Sequence, residues 1–428
     1  MFRAARIDPV EYAPPWGAGF DERLAALTAR PRRIAYFYEL PDTSTFRYRV
    51  FNMARSLAAD PRCDTSASWF QLSDLDRTAL FVDRADALVI CRTRYTPAVA
   101  RMIGRAKARG IPVLFDVDDL VFDPEYAHMV MHTLDQDTAT EAALDTWFSM
   151  FSRLGTVLRM CDGAITTNQC LAHRIEAFAP HLTARIVPNF FNAAQQALSS
   201  RLYEAKRRSG FASDDRIHIG YFSGTPTHNR DFAVVAPALA RVLDAEPRAI
   251  LRVVGFLEPK DAMARHHARI EQFPLQDFMN LQRLTAEVEI NIAPLQDNLF
   301  TNCKSELKYF EPAIVGTITV ATPVYTFRNS IQDGDNGLLA CSHEWETKLH
   351  SAIQLVRNRA DYARMAEQCY SHVLRSYGWD GFGISIEAAI FGDADTARGV
   401  PGPPMQARDA RPLALEPAGN MPGSVNDG

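Results

Sequence analysis

The chain has no CxxC pair, no long apolar run and no excess of basic charge, and each absence closes a class of function. Its seven cysteines (Cys63, Cys91, Cys161, Cys170, Cys303, Cys341 and Cys369) are scattered without short paired spacings. That pattern excludes a zinc ribbon or a disulfide framework and fits a reducing compartment. No stretch approaches the ~18 apolar residues that a spanning helix needs. The start, from Met1 to Gly17, is broken by acidic residues and prolines and lacks the apolar core of a secretory signal. A formal net charge of -5 argues against a nucleic-acid partner, whose phosphates call for a basic surface. Also missing are GxGxxG, GxxxxGK[ST] and G-x-S-x-G, so neither a dinucleotide fingerprint, a P-loop nor a hydrolase elbow is present. Neither a cofactor nor a resident metal is expected.

What is present reads as an ordinary globular α/β protein. With 428 residues, 47% hydrophobic and 23% charged, the chain is long enough for two domains with separate cores. Short apolar runs at 34–38, 87–91, 112–116, 163–167 and 185–189 alternate with helix-like stretches, one of which spans 97–109 and closes at Gly110. After a polar, helix-prone connector, the alternation resumes at 217–222, 249–255, 288–292 and 317–321. Continuous apolar strands separated by helices imply parallel sheets covered on both faces. The expected organisation is an N-terminal arm (1–32), a Rossmann-like domain (33–193), a linker (194–213), a second Rossmann-like domain (214–378), a C-terminal helix (379–394) and a proline-rich disordered tail (395–428). Ligands of two such doubly wound domains sit beyond the strands' carboxyl ends, in the cleft between them.

Polar groups at the strand-to-helix junctions supply the chemistry. Ser44, Thr45, Arg47 and Arg49 follow the first strand, and arginine forks suit phosphate or carboxylate. Asp116, Asp118 and Asp119 crowd the end of another strand, where their repulsion calls for a cation, an arginine or a hydrogen-bond donor. A DxD metal site is the competing use of the pair, although no further hard oxygen ligands stand at readable spacing. In the second half, Gly224, Thr225, His228 and Arg230 follow a strand; the glycine admits close backbone approach and the others donate to phosphate. A helix expected to open near Lys304 and Ser305 would offer an anion its unpaired N–H groups, with Glu311 two turns further along. Lys308, at helical spacing, reads as a solvated face. A helix-borne diphosphate site with hydroxyl-binding groups beside it suits a nucleotide sugar.

The order of these junctions resembles that of the GT-B glycosyltransferases, in particular the group-1 or family-4 retaining class. Val187-Pro188-Asn189 resembles the family's VPNG run, Ile219 through Arg230 its donor-domain strand and phosphate loop, and Phe310 through Ala321 its EAMAxGxPVVA segment. The likeness covers roughly residues 33 to 390. It implies that Glu311 binds the donor ribose, that Arg230 and Lys304 hold the diphosphate, and that Asp118 or Asp119 orients the acceptor or offsets oxocarbenium charge. The sequence departs from the family at the first glutamate of E-x7-E, which is Cys303, at the lysine-glycine replaced by Arg230-Asp231, and at Asn189-Phe190 in place of Asn-Gly. Phe46 through Arg49 and Phe115 through Asp119 resemble a bacterial surface-polysaccharide branch that includes rhamnosyltransferases. The implied activity is metal-independent transfer of a sugar from a nucleotide-diphosphate sugar to a glycan or lipid-linked glycan in the cytoplasm. Peripheral membrane contact would run through the basic helix bearing Arg101, Arg105, Lys107 and Arg109. An epimerase or hydrolase of nucleotide sugars, and a non-catalytic protein of the same fold, are the alternatives.

Overall fold

Two parallel sheets form where the apolar runs predicted them. The computed structural model describes residues 1–392 except positions 43, 225, 258 and 259, so the tail expected at 395–428 lies outside the described residues. The first sheet contains β1 (Arg32–Tyr38), β2 (Thr65–Gln71), β3 (Ala87–Cys91), β4 (Val113–Asp116), β5 (Gly163–Thr166) and β6 (Ala184–Ile186), in the order β2-β1-β3-β4-β5-β6. The second contains β7 (Ile217–Ser223), β8 (Ala249–Gly255), β9 (Ile270–Phe273), β10 (Ile290–Ala293), β11 (Ile318–Ala321) and β12 (Leu338–Leu339), in the order β12-β11-β10-β7-β8-β9. Every neighbouring pair in both sheets is parallel. All carboxyl ends of one sheet therefore lie along one edge, and the two edges face each other across a cleft.

Burial explains the runs. Every residue of β3, β4, β10 and β11 is buried, which is why these strands are mainly apolar rather than alternating, with Asp116, Asn291 and Thr319 as buried polar exceptions. β2, β9 and β12 escaped the apolar pattern. β2 hides behind hydroxyl residues, Thr65, Ser66 and Ser68, all of them buried; Ser66 Oγ donates to the carbonyl of Leu27 at 2.5 Å. Gly255 is required where β8 turns toward the cleft: its φ is +95°, and a Cβ there would meet the Ser223 carbonyl oxygen at 2.0 Å.

The segment 299–313 differs from the expected single helix. A four-residue helix, Leu299–Asn302, is capped by Asn298, and a second, Leu307–Ala313, begins only after a loop. Lys304 and Ser305 are therefore loop residues, and the second helix is too short for a tip that holds a diphosphate. Phe300 and Cys303, on this segment, pack into the hydrophobic cluster of the first lobe.

The chain also crosses between lobes outside the connector. The connector itself is the helix Ala193–Arg208, capped by Asn192. The last helix, Gly383–Phe391, returns to the first lobe: Glu387 accepts from Thr65, and Arg185 donates to the Ala389 carbonyl at 3.0 Å. The crossings meet where the rings of Phe190 and Phe382 stack at 4.4 Å. The N-terminal arm spans both lobes as well, with Phe2 against Phe211 and Tyr362 in the second and Trp16 against Phe46 and Phe51 in the first.

Candidate functional site

At the first lobe's edge, Asp118 and Asp119 are held together by a cation from the chain itself. Arg92 Nη1 lies 3.3 Å from Asp118 Oδ1 and 3.3 Å from Asp119 Oδ2, and donates to Thr45 Oγ1 at 3.1 Å. Thr45 in turn donates to Asp118 at 3.3 Å. Arg92 follows β3 with a φ of +40°, a left-handed conformation that aims its guanidinium into the cluster. Burial, then the neighbouring Asp119 charge, pushes the Asp118 carboxyl up, while Arg92 holds it down. The repulsion anticipated from the sequence is thus relieved by Arg92, a residue that belonged to no recognised motif. Among the described residues no group of three or more His, Cys, Asp or Glu side chains is placed to hold a metal ion.

Ser44 sits beside this cluster, exposed, with its hydroxyl donating to Asp42 at 3.0 Å. Arg49, expected at the acceptor or a phosphate, is instead walled into the core. Its guanidinium is fully buried and grips Asp116 through two bonds of 2.7 and 3.0 Å, with a third to the Val187 carbonyl at 2.6 Å. The reason is Asp116 itself, a buried strand-end carboxylate whose pKa burial pushes up to about 6 despite the arginine. Losing either partner would strand a charge.

At the second lobe's edge two lysines and a histidine gather near one buried carboxylate. His228 Nδ1 lies 3.0 Å from Asp231 Oδ2, and Asp231 Oδ1 accepts from the backbone and side chain of Gln296 at 3.2 and 3.1 Å. Lys308 Nζ is shielded from solvent, sits 5.2 Å from the centre of the Tyr221 ring and has no hydrogen-bond partner among the described residues. Burial pulls its pKa down to about 8, the Asp231 carboxylate opposing and Lys304 assisting. His228 is drawn down to about 4, by burial first and then by the Lys308 charge. Lys304 lies over the face of Phe300, at 4.5 Å, and has no acidic partner among the described residues. Lys308, read from the sequence as a wet surface group, is half-buried with its amine shielded from solvent. An amine held here without an acceptor can pair with an anion.

The remaining expected site residues lie around this cluster. Gly224 is exposed with open space where a side chain would stand, and Thr225 lies outside the described residues. Arg230 reaches across to the first lobe, where Nε donates to Asp135 at 2.9 Å and the guanidinium meets His132; it stands at the rim rather than among the lysines. Ser305 accepts from Asn189 at 3.2 Å. Glu311 spans the lobes: its Oε1 accepts from Gln195 at 3.0 Å, from Arg47 at 3.3 Å and from the Tyr48 hydroxyl. Arg47 and Tyr48 lie on a π-helical turn, Arg47–Phe51, that opens the helix after β1. Oε2 of Glu311 accepts no hydrogen bond among the described residues.

On the helix Pro97–Ala108 and its cap, Arg105 pairs with Asp83 at 2.7 Å, Lys107 with Asp162 at 2.8 Å, and Arg109 with Asp83 at 3.7 Å. Neutralised in this way, three of the four charges no longer make a free basic face. Among the described residues no helix is long and apolar enough to cross a membrane.

No protein-family model matches the chain, and no curated protein matches it. Solved structures do. A glycosyltransferase from Rickettsia africae superposes with a TM-score of 0.54 at 10% identity, covering 84% of this chain and 99% of its own. HepE from Anabaena, solved in complex with UDP, gives 0.53 at 11% identity over 84% and 99%. Sucrose-phosphate synthase from Thermosynechococcus elongatus gives 0.51 at 14% identity over 82% and 96%. With its two parallel, Rossmann-like α/β lobes facing across a cleft, this chain has the GT-B fold.

Proposed function

We propose that the protein transfers a sugar from a nucleotide-diphosphate sugar to a hydroxyl of a glycan or lipid-linked glycan in cell-surface polysaccharide synthesis, with retention and without a metal, at the cytoplasmic side of the cell. The observation that carries this reading is Lys308, a buried amine with no acceptor, set beside Lys304 and His228 at the strand ends that face the other lobe. A diphosphate supplies the missing acceptors and the missing charge together. The bound UDP of the HepE structure, which has the same fold, supports this class of donor.

In the proposed reaction the bond from sugar C1 to the phosphate oxygen breaks and a bond from C1 to the acceptor oxygen forms. The acceptor's proton passes to the departing phosphate oxygen. Negative charge accumulates on the diphosphate as this proceeds, and Lys304 and Lys308 stabilise it from fixed positions. His228, neutral before the donor arrives, gains a reason to hold a proton once the diphosphate is beside it. Asp118 and Asp119, fixed by Arg92 and Thr45, face the sugar from the other lobe and offset positive charge at C1 or orient the acceptor. Glu311 turns Oε2 to the ribose hydroxyls while Oε1 keeps the lobes together. Arg230 closes the rim through Asp135.

The test is a thermal-shift screen against nucleoside diphosphates, followed by incubation of the binding donor with and without acceptor glycans. A ligand that binds only the folded state raises the melting temperature by mass action. Transfer of labelled sugar only when acceptor is present is the expected result. Conversion of the sugar without acceptor would mark an epimerase or hydrolase, and no response to any nucleoside diphosphate would refute the donor site.

A further inference from the structure

Two cysteines from opposite lobes touch at the mouth of the cleft. Cys170 Sγ lies 3.6 Å from Cys303 Sγ, the first in the opening turn of the helix Gln169–Phe178 and the second in the loop before Lys304. The backbone around them is held in place: Asn168, which caps that helix, donates from Nδ2 to the carbonyls of Cys303 at 3.1 Å and Lys304 at 3.3 Å. Both thiols are free; Cys170 is half-buried and Cys303 buried. The pair therefore has one member that a small reagent can reach and one that only its partner can reach.

We propose that Cys170 and Cys303 form a reversible disulfide that locks the two lobes together and stops ligand exchange through the cleft. A peroxide is the oxidant. The Cys170 thiolate attacks one peroxide oxygen, leaving a sulfenic acid on Cys170 and releasing hydroxide; the Cys303 sulfur then attacks the Cys170 sulfur, forms the S–S bond and expels water. Two thiols lose two electrons and two protons, and the peroxide ends as water. A dithiol reductant reverses the step by exchange.

The surroundings assign the roles. The Cys170 thiol is held below its ordinary range, first by the hydrogen bond from Cys303 and then, against the cost of burial, by the Arg174 guanidinium one turn on; its place in the first turn of a helix acts in the same direction. Cys303 is pushed up by the same hydrogen bond, by burial and by the negative charges of Cys170 and Asp119, only Arg174 opposing. Cys170 is thus the attacking thiolate and Cys303 the resolving thiol. Cys341, the other cysteine with notable exposure, has its pKa raised beside Glu344 and has no thiol partner among the described residues.

The lock follows from position. Donors enter and products leave a two-lobed cleft by separation of its walls. A covalent bond joining the loop before Lys304 to the first lobe pins the strand ends that carry both halves of the site. It also closes a long loop in the unfolded chain, which raises thermal stability.

The experiment treats the full-length protein with hydrogen peroxide, maps the cysteine peptides by mass spectrometry and follows thermal unfolding and exchange of a bound fluorescent nucleoside diphosphate. The expected result is a Cys170–Cys303 cross-linked peptide two hydrogens lighter than the separate pair, a higher melting temperature and loss of nucleotide exchange, all reversed by dithiothreitol. Cys170→Ser should show none of these responses and should retain the reduced protein's activity. Absence of the cross-linked peptide overturns the proposal, whether the thiols stay untouched or are oxidised singly. So does a cross-linked protein that exchanges nucleotide as fast as the reduced form. The nucleotide readout rests on the proposed donor site, whereas the peptide map and melting temperature do not, so failure of one reading is distinguishable from failure of the other.

Discussion

Replacing Lys308 with methionine should make the empty protein more stable and the site useless. The amine is pulled from its ordinary 10.5 to about 8; at about 1.4 kcal/mol for each tenfold change in the proton equilibrium, keeping it charged at pH 7 costs the fold roughly 3 kcal/mol. Methionine fills similar space without charge but loses the attraction to the Tyr221 ring 5.2 Å away, which offsets about 1 kcal/mol. The net gain is about 2 kcal/mol, a rise of roughly 2–5 °C in melting temperature for a chain of this size. The sign depends on pH in a defined way. A lysine whose folded pKa lies below its unfolded one burdens the native state fully below pH 8, and the burden fades between pH 8 and 10.5. Thermal unfolding at pH 7 and pH 10, with and without a nucleoside diphosphate, checks both halves. Lys308→Met should melt higher than the parent at pH 7, by a much smaller margin at pH 10, and should no longer respond to nucleotide. A variant that is less stable at pH 7, or one that still gains the parent's full nucleotide shift, would refute the reasoning that an anion completes this site.

Lys304→Ala should lower transfer by two orders of magnitude or more, as loss of a donor to a developing oxyanion does, while the urea midpoint stays put because the amine lies over the Phe300 ring and has no acidic partner among the described residues. Arg92→Met removes the cation that holds the Asp118 carboxyl down, so the acid limb of the pH–rate profile should move to higher pH; an unmoved limb would show that Asp118 does not titrate in the reaction. Glu311→Gln should weaken donor binding about tenfold, the usual worth of a hydrogen bond to a charged group, because the amide oxygen holds Arg47 and the Tyr48 hydroxyl less firmly; isothermal titration measures it.

The sheets were legible because parallel strands buried on both faces are written as apolar runs. Ala87 to Cys91 carries that signal, as does Ala249 to Gly255 apart from Arg252, which pairs with Glu271 and Glu287, and they became β3 and β8 with their predicted bounds. β2 does not carry it, since Thr65, Ser66 and Ser68 are all buried there, the first two donating to Glu387 and to the Leu27 carbonyl. The site was legible by neighbourhood and not by role. The Asp118–Asp119 pair announced a need for positive charge, but its source, Arg92, lies 26 residues before Asp118 and is joined to it only by the pairing of β3 with β4. The spacing that makes Lys308 look like a wet helix face takes no account of Tyr221 and Asp231, which the fold of the second lobe brings beside its amine. Arg49 and Arg47 stand two apart on the same turn, yet one is sealed against Asp116 while the other meets Glu311. Only packing separates two such neighbours.

The return of the helix Gly383–Phe391 to the first lobe bears on how the chain is made. As the ribosome extends the polypeptide, the amino-terminal half cannot be finished when its own strands have emerged, because the residues that cover Thr65 and Arg185 follow them by 322 and 204 positions. Maturation is then a closing event of high contact order rather than two independent foldings in sequence. Genetic dissection into separately expressed halves would leave the amino-terminal fragment with an uncovered flank, rescued when a peptide of residues 383–391 is supplied in trans.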